Sequence, residues 1–233
     1  MTDTIIQLIT LISLELILGI DNIIFISILA DKLPVNQRNK IRYWGLGLAV
    51  VLRLVLLGFI SWIVKLDTPL FDYFGVEFTG KGIILLLGGI FLLWKSTKEI
   101  YIKTENNKSH ENSNIKTHSF SKLLFEIILL DLVFSVDSII TAVGLVDELW
   151  IMFTAVIVSI AIMLIASKPI SDFINRHPSF KILALSFLIM IAIALIAEGL
   201  QFKFPKGYIY FSMAFAFLVN IIQIKTNSFH KQE

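Results

Sequence analysis

The sequence predicts an all-α membrane protein, a polytopic bundle of seven transmembrane helices built as two inverted three-helix repeats plus one extra helix. Three observations predict it. First, 56% of the 233 residues are hydrophobic and only 16% are charged, with mean hydropathy +0.82; a soluble domain is nearer one quarter charged. Second, the charges sit in gaps between apolar runs near the ~20 residues a helix needs to cross the hydrocarbon. Third, two short acidic stretches of matching pattern lie deep in apolar runs, one in each half of the chain.

The predicted spans, in order, are residues 4–30, 43–64, 82–102, 120–146, 149–167, 180–200 and 208–224. The first opens on Met-Thr-Asp-Thr, without the basic stretch or cleavage site of a signal peptide, and is expected to be retained. The first and fourth are long and contain the acids, so tilting, kinking or a break is expected there. Trp44, Trp62, Trp94, Trp150, Tyr208 and Tyr210 fall near span ends, as an aromatic belt requires. Gly88 and Gly89 in the third span, with Gly45, Gly47 and Gly58 around the second, are expected to let helices approach closely.

Basic residues in the gaps set orientation. Lys32, Arg38, Lys40 and Arg42 follow the first span; Lys103, Lys108, Lys116 and Lys122 follow the third; Lys168, Arg176 and Lys181 follow the fifth; Lys225 and Lys231 follow the seventh. The alternate gaps are poorer: one holds Asp67, Asp72 and Glu77 between Lys65 and Lys81, the next Asp147 and Glu148, the last Lys203 and Lys206. This alternation predicts an N-terminus outside and a C-terminus in the cytoplasm. The polar stretch 103–119 reads as a flexible cytoplasmic linker. It divides a first repeat, 1–102, from a second repeat with the seventh span, 120–224, followed by a tail, 225–233. Three spans per half make the halves enter the membrane in opposite directions, a design that places ion sites at mid-depth.

The acidic stretches are Glu15-Leu-Ile-Leu-Gly-Ile-Asp21-Asn22 and Asp131-Leu-Val-Phe-Ser-Val-Asp137-Ser138. A carboxylate at bilayer depth costs roughly 2.5–3.5 kcal/mol on the insertion scale, and such groups normally face the bundle interior along an ion or proton path. A single one is as readily a protonated packing residue; four in two matched motifs weigh toward function. On a regular helix i and i+7 share a face, while i+6 lies about 120° away and ~9 Å along the axis. Glu15 therefore lines up with Asn22, and Asp131 with Ser138, whereas Asp21 and Asp137 sit one residue round. Two arrangements answer this spacing. The helices open near Gly19 and Ser135 and free carbonyls for an ion, or the two spans cross unbroken with Glu15 level with Asp137 and Asp21 level with Asp131.

Carboxylate, amide and hydroxyl oxygens suit hard cations such as Mn2+, Mg2+ or Ca2+. The four histidines, His110, His118, His177 and His230, all fall in gaps or the tail, which argues against zinc or copper. The candidate metal ligands are Asp21 and Asp137 first, then Glu15 and Asp131, with Asn22 and Ser138 completing the shell. Arg53, midway along the second span, is a candidate charge partner for the acids, or else a structural ion pair. Glu198, ending the sixth span, is a candidate gate, or else a simple interfacial residue. Asn220 and Gln223 read as interhelical hydrogen-bonding groups. The net charge of +2 gives no reason for a nucleic-acid partner, and the absence of cysteine excludes thiolate sites. With no phosphate-cradling glycine loop, no Ser-His-Asp spacing and no metalloprotease helix motif, neither an enzyme nor an ATP-driven pump is expected.

The chain resembles the TerC family of bacterial integral membrane proteins. The resemblance rests on Ser13-Leu-Glu-Leu-Ile-Leu-Gly-Ile-Asp-Asn22 and the Asp131–Ser138 motif, together with Leu87-Gly-Gly-Ile-Phe-Leu-Leu-Trp-Lys-Ser-Thr-Lys-Glu99, Pro178-Ser-Phe-Lys-Ile-Leu-Ala-Leu-Ser-Phe187 and Pro205-Lys-Gly-Tyr-Ile-Tyr-Phe-Ser-Met-Ala-Phe215. It implies an inner-membrane exporter of divalent cations, Mn2+ above all, in a family named for tellurite resistance and similar to a wider exporter superfamily of the lysine-exporter type. It also places Glu15, Asp21, Asn22, Asp131 and Asp137 at the family's acidic and amide positions. This chain departs from the pattern at Asn220 and Gly82, where family members often carry acids. The expected partners are the divalent ion, the bilayer and protons, with the oligomeric state left open. The rival expectations are a passive cation channel, a membrane component of a metal-loading or tellurite-resistance complex docking through 103–119, and an organic-cation exporter.

Overall fold

A computed structural model describes residues 2–73, 76–105, 119–146, 148–202 and 205–229. Most of the expected linker (106–118), Asp147, the end of the expected tail (230–233) and His110, His118 and His230 lie outside the described residues. Among those described are eight helices: α1 (Thr2–Ala30), α2 (Val35–Gly58), α3 (Ile60–Lys65), α4 (Gly80–Glu105), α5 (Phe120–Val143), α6 (Leu149–Arg176), α7 (Pro178–Gly199) and α8 (Lys206–Phe229). The all-α expectation holds for the architecture. One departure is a small antiparallel hairpin, β1 (Pro69–Tyr73) with β2 (Val76–Thr79), in the acidic gap between the second and third expected spans.

By length and composition, α1, α2, α6 and α7 can each cross a membrane. Helices α4, α5 and α8, with 26, 24 and 24 residues, have the same reach; α4 and α5 carry charged side chains within it. The expected second span, 43–64, is not one helix. It turns at Phe59, between α2 and α3. Helix α2 also starts earlier than expected, directly after Pro34, and α6 runs on through Pro169 to Arg176. Hydropathy registers only the apolar middle of such helices, and their basic ends extend beyond it. The expected break in the first and fourth spans is absent: α1 and α5 pass through Gly19 and Ser135 as continuous helix.

Helix α1 packs chiefly on α6, α2 on α5 and α4 on α7. The α4–α7 contact is the closest, and it needs glycine. A Cβ at Gly89 would lie 2.9 Å from the Ala192 carbonyl oxygen, and one at Gly199 would lie 2.7 Å from the Gly82 carbonyl oxygen. The largest apolar cluster runs from Ile28 and Leu29 in α1 through Leu85 and Leu92 in α4 to Leu185 and Leu188 in α7, and smaller ones lie between α1 and α6. Trp44, Trp62, Trp94, Trp150 and Tyr208 are all more than half exposed, as belt residues should be. Helix α4 is joined to the hairpin by Thr79, whose hydroxyl accepts a hydrogen bond from the Gly82 amide at 2.9 Å.

Candidate functional site: two charged clusters inside the bundle

Helices α1 and α5 cross unbroken, but the acids do not form the expected pairs: Glu15 and Asp131 share Arg53, and Asp21 shares a cavity with Asp137. Antiparallel α1 and α5 place the Asn22 amide 3.1 Å from Asp131 Oδ1 as donor, and Ser138 within hydrogen-bonding reach of Glu15. The side chains at i and i+7 therefore meet across the helix pair. Arg53 of α2 lies between them. Its guanidinium pairs with Glu15 and donates to Asp131 Oδ1 at 3.1 Å. Ser135, one turn beyond Asp131, donates to the other carboxylate oxygen at 3.2 Å. All six side chains are buried, and Arg53 is 2% exposed. The Arg53 partner expected among the motif acids is two acids, one from each half of the chain.

Asp21 and Asp137, at the i+6 positions, face elsewhere. They line a separate cavity of about 20 Å3 together with Leu18, Phe134, Lys206 and Tyr210. That is room for about one water molecule. Asp137 is held by two lysines, pairing with Lys206 at the start of α8 and lying 3.5 Å from Lys81 at the start of α4. Glu198, at the end of α7, takes the same two ammonium groups, Lys81 at 3.0 Å and Lys206 at 2.9 Å. This four-residue cluster draws α4, α5, α7 and α8 together. On its far side, toward the hairpin, opens a vestibule of about 550 Å3 lined by Asp67, Thr79, Glu198, Gln201 and both lysines. Asp21 differs from every other buried acid: among the described residues it has neither an ion pair nor a side-chain hydrogen bond.

The six expected ligands are thus brought into two neighbouring groups, not one shell. Among the described residues no three acidic or histidine side chains converge on a common metal position. Arg53 and Glu198 both join charged clusters. Asn220 accepts a hydrogen bond from Ser179 across α7 and α8, in line with its expected packing role. Gln223 is exposed. The sequence reading did not select Lys81, Lys206 or Tyr210 for the site. The available signal was that both lysines stand beside span ends in gaps otherwise poor in positive charge.

A bundle of long apolar helices enclosing buried charged side chains defines an integral membrane protein with a polar interior. The chain belongs to the integral membrane protein TerC family, which it matches over residues 1–233. It is 47% identical to the UPF0053 inner membrane protein YoaE of Escherichia coli over 97% of this chain and 44% of that protein. It is 47% identical to a UPF0053 protein of Haemophilus influenzae over 94% of this chain and 93% of the relative. A Buchnera aphidicola relative is 49% identical over 97% of this chain and 44% of its own length. The chain therefore spans less than half the length of the YoaE and Buchnera relatives. No solved structure matches it.

Proposed function

We propose that the chain is a transporter that exports divalent cations, Mn2+ first among them, across the bacterial inner membrane through its charged interior. One observation carries the reading. Across the two clusters, five carboxylates (Glu15, Asp21, Asp131, Asp137 and Glu198) face three basic groups, Arg53, Lys81 and Lys206. With all of them ionised, two negative charges are left over in a low-dielectric setting, and Asp21 has no partner of its own. One divalent cation, or two protons, restores neutrality. Oxygen-only donors favour Mn2+, Mg2+ or Ca2+ over zinc and copper.

The unpaired Asp21, beside Asp137, is the landing point in this scheme, with Glu15, Asp131, Asn22 and Ser138 one helix face away. Lys206 and Lys81 act as tethered cations. They neutralise Asp137 and Glu198 until an ion displaces them, and they stand between the small cavity and the vestibule, which favours gated transport over an open channel. Alternating access rests on seven spans, with α3 completing the second, and on inverted repeats. In support, the main contacts α1–α6, α2–α5 and α4–α7 are unchanged in pattern when α1, α2 and α4 are exchanged for α5, α6 and α7. The inner-membrane name of YoaE supports the location, and the basic gaps support an N-terminus outside and a C-terminus in the cytoplasm. Proton influx is the proposed driving force: protonated carboxylates on the outer side release the metal.

The test is Mn2+ flux in reconstituted vesicles. Asp21→Asn and Asp137→Asn are each expected to lower the saturating rate by at least about ten-fold, as loss of a required charge at a dry site does. Native rates in both variants would move the site elsewhere. Flux that rises linearly with the gradient, without saturation, would replace the transporter with a channel. An unchanged rate after collapse of the proton gradient at matched potential would remove the coupling.

A further inference from the structure

At the end of the bundle opposite the hairpin, α4 and α5 part to leave a cleft of about 290 Å3. We propose that this cleft binds the phosphate headgroup of an anionic phospholipid, a role independent of the transport reading. One wall is a single face of α4, with Phe91, Trp94, Lys95 and Lys98 at i, i+3, i+4 and i+7; the other is a face of α5, with Lys122, Phe125 and Glu126. Trp94, 55% exposed, and Phe125, 65% exposed, stand on the two walls at the level of Lys95 and Glu126. Lys98 and Lys122 lie about one helical turn nearer the ends of α4 and α5.

The charged part has a floor and a rim. The floor is neutral: Lys95 donates to Glu126 at 2.6 Å across the cleft, and Lys32, just beyond α1, pairs with Glu99. The rim is Lys98 on one wall and Lys122 on the other. Among the described residues neither ammonium has a carboxylate partner, and that of Lys98 lies 5.0 Å from the Trp94 ring centroid. Two unpaired cations thus face one opening above a neutral, buried base. A phosphate between them satisfies both, and its acyl chains cover Trp94 and Phe125, which a soluble anion leaves bare. Basic pockets between membrane helices hold acidic headgroups by this chemistry, and tryptophan at the same level suits the interface.

The test uses the full chain in phosphatidylcholine vesicles containing brominated phosphatidylglycerol or brominated phosphatidylcholine. The Trp94 signal is isolated by difference from Trp94→Phe. Brominated phosphatidylglycerol is expected to quench Trp94 at a mole fraction roughly ten-fold lower than brominated phosphatidylcholine, given two lysines at the headgroup level. Lys98→Gln with Lys122→Gln is expected to erase the preference, and the corresponding arginine pair to keep it. Both lysines are exposed, so the fold does not depend on them. Equal quenching by the two lipids, a preference that survives the glutamine pair, or one lost in the arginine pair would overturn the proposal. So would its abolition by millimolar inorganic phosphate, which would make the cleft a site for a free anion.

Discussion

Arg53 joins carboxylates that lie far apart in the chain, Glu15 in α1 and Asp131 in α5, at a point reached by no other basic side chain among the described residues. A buried pair broken from one side leaves an unpaired charge, which costs on the order of 3–5 kcal/mol. Arg53→Leu is therefore expected to lower thermal stability in detergent by that amount, and adding Glu15→Gln and Asp131→Asn should recover most of it. Arg53→Lys should recover little, because one ammonium does not offer the two-pronged geometry of a guanidinium. At this scale the helical repeat made part of the site legible. The i, i+7 spacing put Glu15 with Asn22 and Asp131 with Ser138, and a lone arginine among apolar residues called for an acid. Lys81 and Lys206 were hidden because a lysine beside a span end reads as an orientation signal. Only the packing of α4 against α5 and of α8 against α7 turns these two inward to Asp137.

Among the elements, the long helices were legible from hydropathy apart from their charged ends and the turn at Phe59 that splits the expected second span, and the hairpin was not. Its strands are short, 5 and 4 residues, and Asp72 and Glu77 within them gave the segment the character of a polar gap. The signal present was aromatic and β-branched residues on either side of Gly75. Phe71 and Phe78 pair across the strands with ring centroids 5.1 Å apart. The end of α7 offers a prediction. The Gln201 amide donates to the Glu198 carbonyl and the Phe202 amide to the Ala197 carbonyl, both at 2.9 Å, with Gln201 at φ 66°. This is a Schellman ending whose left-handed position favours glycine. Gln201→Gly is expected to stabilise the protein by about 0.5–1 kcal/mol in a thermal melt, by relieving the Cβ clash of that conformation. By contrast, Gly89→Val should destabilise it by about 1–3 kcal/mol, because the new side chain presses on Ala192 and Ile196 and forces α4 from α7.

For the whole molecule, the charged clusters tie the halves of the chain together at two levels, Arg53 through α1, α2 and α5, and the Lys81–Lys206 group through α4, α5, α7 and α8. The orientation proposed above is directly testable because the chain has no cysteine. Leu70→Cys in the hairpin should react with a membrane-impermeant maleimide in intact spheroplasts, and Asn39→Cys, between the basic residues of α2, only after lysis. The reverse pattern would invert the topology. The continuity of α1 and α5 carries a further consequence. Their peptide oxygens near the acids are engaged in their own helical ladders. Under the proposed transport, an ion would therefore find no ring of backbone ligands to replace its hydration and would keep part of its water coat beside Asp21. Discrimination would then fall to how readily each metal sheds the rest, which would put Mg2+, slow to dehydrate, at a disadvantage that has nothing to do with charge.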